Sequence, residues 1–419
     1  MPYNDDGVNV DQAISLTDAA NLEVMKEAMM QRVAKSRLLF VIAVIAALLS
    51  LACGGSGTAS PTEPPAAEQV QEEGGAETLG KDQEEATEEA PQPTDTPEPT
   101  EVPPTSTPQP LGMSRSNPYP LSAVVSAPNW EIQVLESVRG DAAWEAIQAA
   151  NQFNDPVAEG MEYLLVRVRA KCLYEDSDEH MIGGTDFRVT GDRLIQYSAG
   201  GVVTPEPALD AQLYKDGVAE GWVVFAVGKG EGNLMLIFDE LMNFDDDRRR
   251  FIALDEGAAL SVSPDLAAIS PTDLGKDRGS PAPFGETVIT EDWKVTFLEM
   301  SRGDDAWIMA QEANSYNDPP EEGMEYVALK LLTEYISTVD SPAQVDGAYL
   351  SASGSANVLY DNPSVVDPDP ALDVTLFPGG KFEGWVVLQV AKGETGLFAV
   401  FEPWFSFSDA NKRFMSLEP

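Results

Sequence analysis

Apolar and polar residues alternate along Trp130-Glu131-Ile132-Gln133-Val134-Leu135-Glu136. A period of two predicts a half-buried β-strand. Trp293-Lys294-Val295-Thr296-Phe297 repeats the pattern. A helical stretch follows: Asp141 predicts an N-cap, and Ala142 to Gln152 are good helix formers, with Trp144 and Ile147 on adjoining faces. Asn154-Asp155-Pro156 ends it, because proline restricts the residue before it and Asx side chains favour turns. Met161 to Tyr174 reads as a long central strand, matched by Met324 to Tyr335. Shorter strands are predicted at Asp186–Val189, Leu194–Tyr197, Gly221–Val227, Leu234–Phe238 and Arg250–Leu254. Gly228-Lys229-Gly230-Glu231-Gly232 is a turn, and Ala391-Lys392-Gly393-Glu394-Thr395 matches it. About seven strands and one helix predict a mainly β, antiparallel sandwich. Trp222, Trp385, Tyr163 and Tyr326 are the expected members of its core.

The second half restates the first. Trp130 recurs as Trp293, an offset of 163 residues. The same offset carries Arg139-Gly140-Asp141 onto Arg302-Gly303-Asp304, and Trp144 onto Trp307. It carries Gly221-Trp222-Val223-Val224 onto Gly384-Trp385-Val386-Val387. One module was therefore duplicated with its spacing intact. Repeat 1 is expected over 113–256, a connector over 257–275, and repeat 2 over 276–419. Each is long enough to bury a core of its own.

Leu38 to Ala52 carries no charge and follows Arg32, Lys35 and Arg37. A basic flank before an apolar run is the pattern of an export signal. The run is shorter than the ~20 residues that span a bilayer. Leu49-Ser50-Leu51-Ala52-Cys53 resembles a bacterial lipobox, which implies lipid attachment at Cys53, although Ser50 replaces the favoured leucine. An uncleaved single-pass anchor and simple secretion are the alternatives. Residues 1–29 are polar and acidic, unlike a signal, whereas a start at Met30 gives a conventional one (30–53). Residues 54–112 are rich in Pro, Thr and Glu and poor in large apolar side chains, which predicts a disordered linker. The proline-dense part favours extended polyproline II, suited to a stalk.

The chain carries a net charge of −44, with 26 basic and 70 acidic residues. Nucleic acid is thereby disfavoured as a partner, since phosphates need Lys and Arg. Two cysteines and one histidine exclude a Cys/His zinc site by count. Cys172 has Tyr335 as its counterpart, so no disulfide is built into the module, and a buried free thiol is expected. No cofactor is implied.

Three segments together resemble a bacterial family of unknown function. They are the Pro-x-Pro-Leu/Phe opening, the Asn151-x-x-Asn154-Asp155-Pro156-x-x-x-Gly160-Met161-Glu162-Tyr163 segment, and the Glu220-Gly221-Trp222-Val223-Val224 strand. That family consists of extracellular immunoglobulin-like domains, frequently on lipoproteins, related in fold to secreted immunoprotective antigens. The resemblance covers both repeats and implies two tandem immunoglobulin-like sandwiches at a cell surface. It implies no catalytic residues.

Candidate chemistry is sparse. Trp144 and Trp307 offer aromatic faces to a glycan or peptide, with packing against the sandwich as the alternative. Asn154 and Asp155, with Asn317 and Asp318, carry oxygens suited to calcium, but only one carboxylate per copy, so turn stabilisation is the expected role. Glu175-Asp176-Ser177-Asp178-Glu179 and Asp245-Asp246-Asp247 read as solvated acidic loops. Arg139-Gly140-Asp141 spells an integrin-like tripeptide, better explained as a strand-to-helix turn. A nucleophilic triad lacks its repeated base. The expectation is a membrane-tethered, non-enzymatic binding or adhesion protein with extracellular protein or glycan partners. The alternatives are an envelope spacer without a ligand, and a carboxylate-dependent hydrolase.

Overall fold

The alternation in the first long strand persists in three dimensions in a computed structural model that describes residues 110–241, 247–403 and 409–418. The polar extension 1–29, the anchor 30–53 with Cys53, and nearly all of the linker lie outside the described residues. The first ten strands are β1 (Val124–Ser126), β2 (Trp130–Arg139), β3 (Met161–Cys172), β4 (His180–Gly183), β5 (Phe187–Thr190), β6 (Tyr197–Ser198), β7 (Asp210–Leu213), β8 (Val218–Gly228), β9 (Met235–Phe238) and β10 (Arg250–Ala253). Helix α1 (Asp141–Ala150) follows β2. Antiparallel pairing gives one sheet of order β1-β2-β3-β8, a second of order β10-β9-β5-β6, and a β4-β7 ribbon.

The duplication holds element for element. The second set is β11 (Thr287–Ile289), β12 (Trp293–Arg302), β13 (Met324–Tyr335), β14 (Ala343–Asp346), β15 (Leu350–Ser353), β16 (Leu359–Tyr360), β17 (Asp373–Leu376), β18 (Lys381–Ala391), β19 (Phe398–Phe401) and β20 (Arg413–Ser416). Helix α2 (Asp304–Ala313) matches α1, and the sheets have the same orders.

Inward side chains of the two sheets form the core. Trp130, Ile132 and Val134 of β2 meet Leu164, Val166 and Val168 of β3, and face Phe187, Leu236, Phe238 and Ile252. Each such fully buried side chain contributes about 1.5–3 kcal/mol. Leu135 breaks the alternation because it is the extra residue of a β-bulge between Val134 and Glu136, and it is exposed. The other face of the first sheet is also covered: Tyr163, Leu165 and Val224 pack against Ala143 and Ile147 of α1. β3 is thus buried on both faces, which explains its near-continuous apolar run.

Four expectations need correction. Trp222 and Trp385 do not point between the sheets; Val223, Phe225 and Val227 do, so strand parity sends the tryptophans to the helix side, half-buried. Tyr163 and Tyr326 are buried, but in that same helix-side layer. Asp141 is the first helical residue, and Gly140 holds the N-cap position at φ 67°, with Gly303 at 68°. The strand turns into the helix in one residue, which demands a positive φ that glycine tolerates. Ten strands per repeat replace the expected seven; β1, β4 and β7 are too short for a periodic signal, and β6 is reduced to two residues.

The repeats pack on one another. Ile195 bridges antiparallel to Leu376, Gln196 N donates to the Thr375 carbonyl (2.8 Å), and Phe377 N donates to the Leu194 carbonyl (2.7 Å). Phe377 is fully buried against Ile237 and Phe251 of repeat 1. The Arg115 guanidinium lies 4.1 Å from the Phe377 ring centroid, and its Nε donates to Asp340 Oδ1 (2.7 Å). The connector is packed too: Leu260 N donates to the Arg115 carbonyl, and Leu266 is buried in a 3-10 turn.

Candidate functional site

The strand-to-helix reversal at Gly140 creates an open hollow beside α1. Its volume is about 340 Å³, and Trp144, Tyr163, Met161, Pro156 and Val157 form its apolar walls. Asp141, Glu162 and Lys229 supply the polar groups. Such a mixture of aromatic surface and a few convergent polar groups is typical of ligand sites. Trp144 is half-buried and stacks on Tyr163, with centroids 5.8 Å apart and planes inclined by 15°. Trp307 meets Tyr326 at 6.0 Å and 56°. Of the nine residues lining the first hollow, only Val157 changes in repeat 2, to Pro320.

Side-chain bonds hold this corner. The Arg139 guanidinium donates to Glu162 Oε1 and to the Glu231 carbonyl; Arg302 makes the same contacts to Glu325 and Glu394. Gly230 N also donates to Glu162 (2.9 Å), as Gly393 N does to Glu325 (2.8 Å). Burial opposes ionisation of Glu162, but the Gly230 N–H and Arg139 outweigh it and hold the carboxyl below its usual range. The hollow therefore keeps a charged carboxylate at neutral pH. Burial pushes the Tyr163 and Tyr326 phenols up, so both stay protonated and donate to the carbonyls of Asp155 (3.0 Å) and Asp318 (2.9 Å).

The structure places Asn154 and Asn317 in clamps. Asn154 Nδ2 donates to the carbonyls of Ile147 and Val203, both at 2.9 Å, and its Oδ1 accepts from Val203 N (2.8 Å). Asn317 does the same to Ala310 and Val366. Each amide thus ties the helix C-terminus to a distant loop. Asp155 and Asp318 are exposed beside them. Among the described residues no group of three or more His, Cys, Asp or Glu is placed to hold a metal. Arg139-Gly140-Asp141 is not a loop tip: its arginine is tied to Glu162 and its aspartate begins the helix. Cys172 is a free thiol, fully buried in the core. His180 stacks on Tyr174 at 3.4 Å and bonds Asp176.

One pair of residues escaped the sequence reading. Phe153 and Tyr316, at equivalent positions, are 81% and 91% exposed. The backbone N–H of each is held by the side chain of Asn151 or Asn314, an Asx turn that projects the ring into solvent. The available signal was an aromatic kept at the offset of 163 inside a polar loop.

No family model matches the chain, so the family resemblance drawn from its motifs stands without a match. No curated protein matches it. Solved structures resembling it include a "putative lipoprotein" (ycdA) of Bacillus subtilis, 15% identical over 32% of this chain, with a TM-score of 0.24. The match spans 38% of the ycdA chain. The yjhA protein of Bacillus subtilis is 14% identical over 33% of this chain and 99% of its own, with a TM-score of 0.24. An uncharacterised β-sandwich protein of Clostridium difficile is 10% identical over 33% of this chain and 96% of its own, with a TM-score of 0.23.

Proposed function

We propose that this chain is a non-enzymatic binding protein, tethered to the outer face of a membrane through Cys53 or the apolar run before it. Each sandwich, read as an immunoglobulin-like domain, offers the same aromatic hollow to an extracellular glycan or protein. The observation that carries this reading is that eight of the nine residues lining the hollow recur in repeat 2, the solvent-reaching Asp141, Trp144 and Lys229 as Asp304, Trp307 and Lys392 among them. Two copies of a weak site on one chain favour a repetitive ligand, because the second contact is intramolecular and raises avidity by orders of magnitude. The fixed packing of the repeats supports the spacer reading as the second one.

Glycan and protein arrays probed with the full chain test the proposal. A reproducible hit is expected, reduced about tenfold or more by Trp144→Ala or Trp307→Ala and lost in the double variant. Arrays without a hit, or hits untouched by both substitutions, favour the spacer.

A further inference from the structure

We infer that the chain associates head to tail with a second copy of itself, using the contact that already joins its two repeats. That contact has a knob, Phe377 at the end of β17, and a socket, Phe251 and Arg115 on the outer side of repeat 1. It also has a strand edge, where Ile195 bridges Leu376. Because the module is duplicated, each part exists twice, and one copy of each is left over.

The spare knob is Tyr214, which follows β7 as Phe377 follows β17, and it is 60% exposed. The spare socket is Phe414 with Arg278. Arg278 lies 5.4 Å from the Phe398 ring centroid and donates to Asn357, but makes no ion pair among the described residues. Its counterpart Arg115 is fully buried against Asp340. The spare edge is Val358 and Leu359, 48% and 62% exposed, at the positions of Ile195 and Gln196. Phe414, Val358 and Leu359 are apolar, Arg278 lacks the charge partner its twin possesses, and Tyr214 donates its hydroxyl to Glu179 (3.1 Å) while its ring stays exposed.

The complementary details match as well. Ser177 stands where Asp340 stands, flanked by Asp176 and Asp178, so the acidic loop 175–179 meets Arg278 in the repeated contact. Leu194 packs over Gly379, where an added Cβ would lie 3.3 Å from the leucine. In the repeated contact these positions are Asn357 and Asp216, a polar pair that can hydrogen-bond where the apolar pair packed. A head-to-tail contact of this kind is heterologous and does not use itself up, so each added copy exposes a new end. The net charge of −44 opposes long-range approach, and salt that screens this repulsion strengthens association.

Sedimentation velocity on the full chain tests the inference. The wild type is expected to gain mass between ~10 and ~300 µM, the range of a modest interface between charged partners. Tyr214→Asp removes one end and Leu359→Asp the other; each alone is expected to weaken association tenfold or more. Mixed one to one, each retains the end the other lacks, so dimers form but nothing longer. Arg278→Glu is an independent break of the Leu359 end and pairs with Tyr214→Asp in the same way. All three substituted positions are exposed, and a far-ultraviolet circular-dichroism spectrum equal to wild type shows the fold is kept. A wild type that stays monomeric through that range overturns the inference. So does a single variant that associates like wild type, as association through the N-terminal apolar run would produce, or a mixture no better than its parts.

Discussion

The helix-side layer and the region from Glu175 to Val218 respond differently to duplication. In the helix-side layer the bonding and aromatic residues are kept: Trp144, Asn151, Asn154, Tyr163, Val202, Val203 and Trp222 all recur, while packing positions such as Ile147 and Leu165 become Ala310 and Ala328. Between Glu175 and Val218 most residues differ, yet β4 to β7 recur as β14 to β17. The difference lies in what each region asks of its residues. Strand pairing uses backbone groups that every non-proline residue carries. The clamps of Asn154 and the Arg139–Glu162 pair use particular side-chain atoms, and a change of residue type removes them. Identity survives where side chains do the bonding.

Substitutions can break or sharpen that contrast. The largest effect is expected from Ile147→Ala, at about 2–5 kcal/mol of lost stability, because Ile147 is fully buried between α1 and the sheet. Repeat 2 already has Ala310 there, so Ala310→Ile is expected to lower its melting temperature through overpacking, not to raise it. Asn154→Ala removes three hydrogen bonds at once, and denaturant titration is expected to show a loss of about 1–3 kcal/mol.

Asp367 stands where repeat 1 has Thr204. Burial raises its carboxyl to about 6, although Val387 N donates to it at 2.7 Å. A carboxyl raised in the folded state costs stability when ionised; the cost appears as pH rises through the ordinary carboxylate range and is complete above about 7. Asp367→Asn keeps the acceptor for Val387. It is expected to stabilise by about 1–3 kcal/mol at pH 7.5 and by only about 0.5 kcal/mol at pH 4, read as melting temperatures at the two pH values. The smallest effect is expected from Glu179→Gln in the divergent loop, within about 0.5 kcal/mol by chemical denaturation.

Much of the fold was legible because long strands carry long signals. β2 was evident from its period-two pattern, β3 and β8 from apolar runs kept by the duplication, and α1 fell within two residues of its predicted ends. The facing of Trp222 was not legible. In a sheet buried on both sides, parity says which residues share a face but not which face meets the second sheet. Gly221 held a clue: an added Cβ would lie 2.3 Å from Leu209 N, so the segment before β7 crosses there. Of the candidate site, Trp144 and Trp307 were visible as a repeated aromatic, whereas the hollow depends on a positive φ at Gly140 that composition does not announce. The packing of the repeats was invisible in sequence, because Arg115 and Asp340 lie far apart in the chain and Asp340 has Ser177, not an acid, as its counterpart.

The lock formed by Arg115, Phe377 and Asp340 holds one repeat against the other. The separation of Trp144 from Trp307 is set by folded protein and not by a tether, so on the proposed binding reading the two sites act as the jaws of a caliper. On that reading a polymer whose repeat matches their pitch engages both at once, and one out of step engages one.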